Sequence, residues 1–408
     1  MFTLRNRNTA LVILSCLLLA VAGCKPSARM GGPDAKALAA KEQQEQDASQ
    51  GLTDAQCQEF GRQFVEWVRK GDADSIDRAV DYDRIVEQAA GGTGIHADEY
   101  QGLTQGARAG MRKSSLGKQL VSQKELGGKL SFLRVANRDG YKRAVFRQLP
   151  AGGGVNYQEM LLVPSGDRLH VVDIYLHASG ELLSETLRHM LVPPTAPTSL
   201  PGEDVARHSE KLKQLARQVS AGEHDAAIST YESLPEVIRK IKLARVQYLM
   251  ATSMADEKKH LQAIEDYRRD FPGEAAIDLL SIDSLIIAKR YDEAVAACAR
   301  VDEAVGGDPY LDVICGNILV AAERLDEAAQ RAGKAAADPE IVMDVVYLRA
   351  SIALMKRDYD ALVKQLSELE SKHGVDMSGV TIADDYADFR ESPQYERWLA
   401  KRKKESNQ

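Results

Sequence analysis

The apolar positions of this chain change rhythm twice, from helical spacing to alternation and back to helical spacing. Between Thr53 and Val68, the residues Cys57, Phe60, Phe64, Trp67 and Val68 recur every three or four positions, which predicts a helix with one buried stripe. Cys57 is therefore a core residue before it is a reactive one. A second helix is expected through Ile76, Val80, Ile85 and Val86, and a third between Ala97 and Val121. The pattern then turns to strands over Leu130 to Asn137, Tyr141 to Leu149, Val155 to Val163 and Leu169 to His177. Turn residues separate them: Arg138-Asp139-Gly140, Gly152-Gly153-Gly154 and Pro164-Ser165-Gly166-Asp167. A meander of four antiparallel strands follows. Glu181 to Leu191 closes this part as a helix with Leu183, Leu187, Met190 and Leu191 inward.

Beyond residue 192 no strand pattern returns. Four prolines with small residues between Val192 and Gly202 stop any helix and stiffen the chain, so a linker is expected over 193–203. The fold class is thus an α+β domain over 52–192, followed by an all-α region over 204–400. Within the latter, His224-Asp225-Ala226-Ala227-Ile228, Tyr291-Asp292-Glu293-Ala294-Val295, Leu325-Asp326-Glu327-Ala328-Ala329 and Tyr359-Asp360-Ala361-Leu362-Val363 each open a helix. Asp292, Asp326 and Asp360 are 34 residues apart, and Asp225 precedes Asp292 by about two such periods. A divergent copy around Ala263-Ile264 fills the gap. An aspartate there favours the positive end of the helix dipole.

On these residues the chain resembles the tetratricopeptide repeat, a 34-residue helix-turn-helix unit, over roughly Glu203 to Gly374. With Ala328 on the family's second-helix alanine, Gly316 and Ala335 fall on its small positions, and Pro339 falls within one residue of its closing proline. The resemblance implies stacked hairpins whose first helices line a groove for a peptide or partner helix. It carries the groove positions onto Tyr248, Thr252, Leu279, Asp283, Asn317, Tyr347 and Ser351. The family's basic clamp positions hold Asp256, Ile287, Ala321 and Met355 here, which argues against a ligand ending in a carboxylate. The last hairpin needs a cap, and the helical face Tyr395, Trp398 and Leu399 supplies one, with a wet basic tail over 401–408.

The order of helices and then a long meander is similar to the cone-shaped nuclear transport factor two-like or cystatin-like domains, in which a curved sheet wraps a pocket. Members range from isomerases to inert oligomerisation modules, so fold alone does not choose an activity. Alternation puts Asp173, Tyr175 and His177 on one side of the last strand, where they form the candidate pocket set: a base with hydrogen-bond partners. Val171 and Leu169 share that side in a regular strand, so either face suits the core. A satisfied polar cluster is the competing reading.

The N-terminus changes the picture of compartment. Arg5 and Arg7 precede an apolar run from Ala10 to Ala22, shorter than the roughly 20 residues that span a bilayer, and Val21-Ala22-Gly23-Cys24 ends it. This resembles a bacterial lipoprotein lipobox, with residues 1–23 a cleaved signal peptide. The resemblance implies that Cys24 becomes the acylated (palmitate-type) first residue of a periplasm-facing chain held in the membrane. Lys25 stands where aspartate would signal inner-membrane retention, which favours the outer membrane. Residues 24–51 are polar, with Pro26, Gly31, Gly32 and Pro33, and read as a disordered tether.

About 355 residues remain beyond the tether, more than one core usually serves. A net charge of −7 argues against nucleic acid, which calls for a basic stripe. Besides Cys24, the region beyond the signal keeps Cys57, Cys298 and Cys315, at spacings that match no zinc or redox motif. Cys298 and Cys315 lie about equally far from the turn at Gly306-Gly307, so antiparallel helices bring them level. They are either a bridge of about 3 kcal/mol in an oxidising compartment or two small apolar fillers. No His-Glu-x-x-His, Gly-x-Ser-x-Gly or Cys-x-x-Cys occurs, and Gly91-Gly92-Thr93-Gly94 is not set between strand and helix as a phosphate loop would be. No catalytic residue, metal or cofactor is assigned. The leading expectation is a lipid-anchored envelope protein that recruits a protein or peptide partner. A small-molecule binder, hydrolase or isomerase in the N-terminal pocket is the alternative, and pairing of two copies through the sheet is a third reading.

Overall fold

The computed structural model describes residues 35–91, 97–151, 153–191, 202–274 and 276–405. The lipobox, Cys24 and most of the proline segment lie outside them. Among the described residues, six helices precede the sheet: α1 (Ala35–Gln50), α2 (Asp54–Lys70), α3 (Ala73–Ala79), α4 (Tyr82–Ala90), α5 (Ala97–Lys113) and α6 (Leu116–Glu125). α2 starts with a capping box, in which the Gln56 amide donates to Thr53 Oγ1 and the Thr53 amide donates to Gln56 Oε1 at 2.9 Å. Its stripe is as expected, with Cys57 and Phe64 fully enclosed. The expected second helix is two, because Asp81 accepts the Arg84 amide and restarts the chain as α4 while Val80 bridges to Val171. The third likewise divides where Ser115 caps α6.

The tether reading is overturned over α1. Ala, Lys, Glu and Gln are strong helix formers, and the seam that α1 turns toward the sheet is largely polar, so no apolar rhythm betrayed it. Leu38 and Ser49 are buried; Ser49 donates to the Leu162 carbonyl at 2.6 Å and accepts the Lys142 amide at 2.8 Å. Glu45 takes both Arg84 Nε (2.7 Å) and Nη2 (2.9 Å) in a two-pronged pair.

The sheet has five strands in sequence order, all antiparallel: β1 (Lys129–Arg138), β2 (Tyr141–Leu149), β3 (Asn156–Ser165), β4 (Arg168–Leu176) and β5 (Glu181–Leu182). The short β5, unforeseen in the sequence, precedes helix α7 (Leu183–Leu191). A bulge between β3 and β4 pairs Leu161 with Asp173 but Leu162 with Val171, so Val172 is the extra residue. Alternation therefore slips by one. Val171, Ile174 and Leu176 join the core with Phe64, Phe146 and Met160, whereas Val172 packs with Tyr141, Leu161 and Val163 on the other face. The expectation that Val171 lies on the side of Asp173 fails for this reason. Gly61 lets α2 sit against the sheet, since a Cβ there would fall 2.2 Å from the Phe132 ring.

Among the described residues every further element is helical: α8 (Gly202–Ser220), α9 (His224–Glu232), α10 (Glu236–Arg239), α11 (Lys242–Ala255), α12 (Glu257–Asp270), α13 (Ala276–Ile287), α14 (Tyr291–Val305), α15 (Pro309–Ala321), α16 (Leu325–Ala335), α17 (Val342–Met355), α18 (Tyr359–His373), α19 (Ser378–Ile382), α20 (Ala387–Arg390) and α21 (Pro393–Glu405), with short 3-10 turns at Pro339–Ile341 and Asp384–Tyr386. Two compact units emerge, and the division falls inside α13, between Leu280 and Ser281. It does not fall at the proline segment. The reason is packing: Leu212, Leu215, Tyr231, Leu249, Tyr267 and Ile277 belong to the same continuous core as the sheet and its helices.

In the unit from Ser281 onward the 34-residue period is written in the backbone. Lys289 (φ 58°), Glu323 (φ 60°) and Arg357 (φ 55°) are each left-handed, one period apart. Each ends a helix with the same pair of bonds: Arg290, Arg324 and Asp358 amides donate to the carbonyls of Leu285, Leu319 and Ala353, while Lys289, Glu323 and Arg357 donate to Ile286, Val320 and Leu354. Asp292 then accepts from Arg324 Nη1 (2.7 Å), Asp326 from Lys356 Nζ (2.5 Å) and Asp360 from Gln394 Nε2 (3.2 Å). α15 packs on both α16 and α17. Gly316 makes the second approach close, because a Cβ there would lie 2.4 Å from Leu348 Cδ2. Within residues 202–280, Gly222 (φ 75°) ends α8 in the same way, but the divergent copy has no left-handed residue between its two helices, α11 and α12; Asp256 caps α12 directly by accepting the Lys259 amide.

The C-terminal end is a packed cap. Trp398 is buried among Phe389, Tyr386 and Leu366. The wet basic tail is corrected in part: α21 runs on to Glu405, Arg402 bonds Glu370 at 2.7 Å, and its guanidinium lies 4.8 Å from the Trp398 ring.

Candidate functional site

Asp173 and Tyr175 share the face of β4 opposite the core and His177 stands in the turn just past the strand, but the three do not act as one set. Asp173 is enclosed and accepts the backbone amides of Ile174 (2.8 Å) and Ser184 (3.2 Å) through Oδ1. It thus holds the start of α7. Burial pushes its carboxyl up to about 6, with the Ser184 and Ile174 hydrogen bonds opposing.

His177 belongs to a different cluster, centred on a residue to which the sequence pattern gave no prominence. Glu159 on β3 lies opposite Tyr175 in the ladder and is fully buried. Its carboxylate receives His177 Nε2 at 3.0 Å, Arg138 Nη1 at 2.8 Å and Arg143 Nη1 at 3.1 Å. Arg143 also reaches Asp139 at 2.5 Å, and its guanidinium stands 5.9 Å over the Tyr175 ring. The His177 ring meets Tyr175 and Tyr157 edge-on. Burial alone would raise the Glu159 carboxyl. The His177 hydrogen bond and the charges of His177, Arg138 and Arg143 outweigh it and hold the carboxyl below its ordinary range. A carboxylate so committed is a poor base. The only sequence signal for it was a lone acid in an otherwise buried strand, and its partners come from the β1 end, β2 and the end of β4.

A third cluster gathers at β5. Glu181 is buried, 3.9 Å from Lys242 Nζ and 3.8 Å from His189 Nδ1, and accepts Thr186 Oγ1 at 3.3 Å. Burial pushes its carboxyl up to about 7; Lys242 opposes, and Glu185 and Glu274 add to the rise. Lys242 is itself held by Glu274 at 2.9 Å.

The open space lies elsewhere. A cleft of about 1180 Å³ runs between α2, α3 and the β3–β4 turn, with Phe60 and Trp67 as its apolar wall and Glu59, Arg78, Arg168 and His170 among its polar lining. None of Asp173, Tyr175 or His177 reaches it. Among the described residues, no group of three or more His, Cys, Asp or Glu is arranged to hold a metal.

The groove positions fare unevenly. In the first unit Tyr248 is half-buried and stacked on Tyr231 with centroids 4.0 Å apart, and Leu279 is half-buried. Thr252 is not a surface residue at all. It is fully enclosed and bonds His260 Nδ1 at 3.1 Å, because the hairpin α11–α12 closes over it. In the second unit Asn317 is exposed, whereas Asp283, Tyr347 and Ser351 are half-buried and Tyr347 packs against the cap cluster. Cys298 and Cys315 are both buried as free thiols, so the bridge is open in this structure. Comparisons with protein-family models, with curated proteins and with solved structures find no match to this chain.

Proposed function

We propose that this chain is a bacterial envelope lipoprotein, anchored through acyl chains on Cys24 and facing the periplasm from the outer membrane, whose tetratricopeptide-like hairpins recruit a protein or peptide partner. The observation that carries the repeat reading is the recurrence of one helix ending at Lys289, Glu323 and Arg357, together with the close approach of α15 and α17 at Gly316. Stacked hairpins of this period present their first helices as a wall, and Asn317 is exposed on α15. The saturated bonding of Glu159 and Asp173 speaks for a frame and against chemistry at those residues.

A photocrosslinking side chain at Asn317 in intact cells should capture one protein. The same group at Lys334, on the second helix α16, should not. Equal capture from both positions, or none from either, removes the groove assignment. Metabolic labelling with a fatty-acid analogue should mark the chain and fail on Cys24→Ser. An unlabelled wild type ends the anchorage reading.

The cleft beside Trp67 favours a second reading, that the cone-like N-terminal part binds a small molecule. Trp67 and Trp398 are the two tryptophans of the chain, so Trp398→Phe makes emission a reporter of the cleft alone. Envelope extract that quenches this emission, and loses the effect with Arg78→Ala, would support it; unaltered emission would dismiss it.

A further inference from the structure

Cys298 and Cys315 occupy the middle of the α14–α15 hairpin, on either side of the turn at Gly306 (φ 80°) and Gly307 (φ 95°). Both thiols are enclosed, at 0 % and 2 % exposure. Cys298 Sγ donates to the Leu311 carbonyl at 3.3 Å. That carbonyl belongs to the helical turn leading to Cys315, since a helix bonds each amide to the carbonyl four residues earlier. The two sulfurs are therefore neighbours across the helix pair, and no third metal-ligating group joins them among the described residues.

We propose that Cys298 and Cys315 form an intramolecular disulfide, made by exchange with a disulfide oxidant of the compartment that the protein occupies. The proposal rests on the envelope reading for its oxidant and on the hairpin for its pairing. The exchange begins at whichever thiol the open hairpin exposes first, and either order leads to the same cystine. Starting from Cys315, its thiolate attacks one sulfur of the oxidant R–S–S–R, forming Cys315–S–S–R and releasing RS⁻. Cys298 passes its proton to that leaving thiolate and attacks Cys315 Sγ, which expels the second RS⁻, and this takes up the proton that Cys315 gave to water on becoming a thiolate. The balance is two protein thiols and one disulfide in, one cystine and two RSH out. Burial of both sulfurs places the exchange before the hairpin closes or during its opening, and shields the product from reduction afterwards.

The test uses the full chain with oxidised glutathione, followed by denaturing alkylation and mass spectrometry without reductant. Trypsin cuts after Arg300, so the cross-link joins the peptides Tyr291–Arg300 and Val301–Arg324. Expected are this linked pair, a Cys57 that still takes the alkylating label, and a rise in Tm on the order of 10 °C for the oxidised chain. Cys298→Ser and Cys315→Ser should each abolish the linked species, and the refolded double serine variant should match the reduced wild type in Tm. Full labelling of both cysteines after oxidation, or bridges to Cys57 or to a second chain instead, would overturn the pairing. Protein acid-quenched directly from cells tests the compartment by itself: a bridge in vitro with free thiols in vivo keeps the pairing and rejects the oxidising surroundings.

Discussion

The sheet region and the unit beyond Ser281 handle charge in opposite ways. In the sheet, Glu159, Arg143 and Arg147 are almost wholly enclosed, and Glu159 is tied to residues from three elements. In the second unit the repeated aspartates stay in solvent: Asp292 and Asp326 keep 92 % and 91 % of their side chains exposed while bonding Arg324 and Lys356. The first arrangement makes one structure by long-range commitment. The second reaches regularity through local endings copied every 34 residues, where each pair is screened by water and contributes little. Loss of one acid should therefore be severe in the sheet and silent in the hairpins.

Glu159→Ala is the sharpest way to break that contrast. It leaves Arg138, Arg143 and His177 facing an empty site and should cost about 3–5 kcal/mol in urea unfolding. Asp326→Ala should shift the same midpoint by no resolvable amount. Comparable losses from both would dissolve the distinction. Because the Glu159 carboxyl is held below its unfolded value, its contribution is present above the unfolded carboxyl pKa and is lost as pH falls through the folded one.

Glu181 tests the same idea with the opposite sign. Its folded pKa is raised to about 7, so its contribution is complete below the unfolded value of about 4.3 and drains away as pH climbs through the folded one. Glu181→Gln should flatten the stability profile between about pH 4 and 7 and leave the variant about 3–4 kcal/mol better above that range than the wild type. Parallel profiles for the two proteins would show that the carboxyl is ordinary.

The smallest effect belongs to the helix endings. Glu323 holds a conformation that costs a side chain roughly 1–2 kcal/mol, against the 0.5–1 kcal/mol of chain entropy that glycine adds, so Glu323→Gly should stabilise by about 0.5 kcal/mol. The same change at Glu327, inside α16, should destabilise by about 1 kcal/mol. If both changes had one sign, the left-handed endings would carry no special role.

Much of the frame was legible because burial and period coincide. The stripe of Phe60 and Phe64, the four long strands and the 34-residue step all place apolar or small residues at the spacing of the element. α1 was not legible, since it is fastened through polar side chains, Glu45 to Arg84 of α4 and Ser49 to the sheet. The bulge at Val172 inserts one residue of the same kind as its neighbours and so changes the phase of β4 without changing its composition. Glu159 acquires its meaning only from Arg138, Arg143 and His177, which no local window contains. The limit of the first unit was hidden for the same reason, because Leu212 and Tyr231 share their core with distant strands.

α1 also sets a working distance. It begins eleven positions after Cys24, and a chain of that length spans at most about 40 Å even when drawn taut. Under the proposed anchorage, Ala35 can stand no farther than this from the acylated residue. Any pull from the bilayer would arrive at the head of a helix fastened at Glu45 and Ser49, loading the middle of the sheet before it reaches any hairpin beyond.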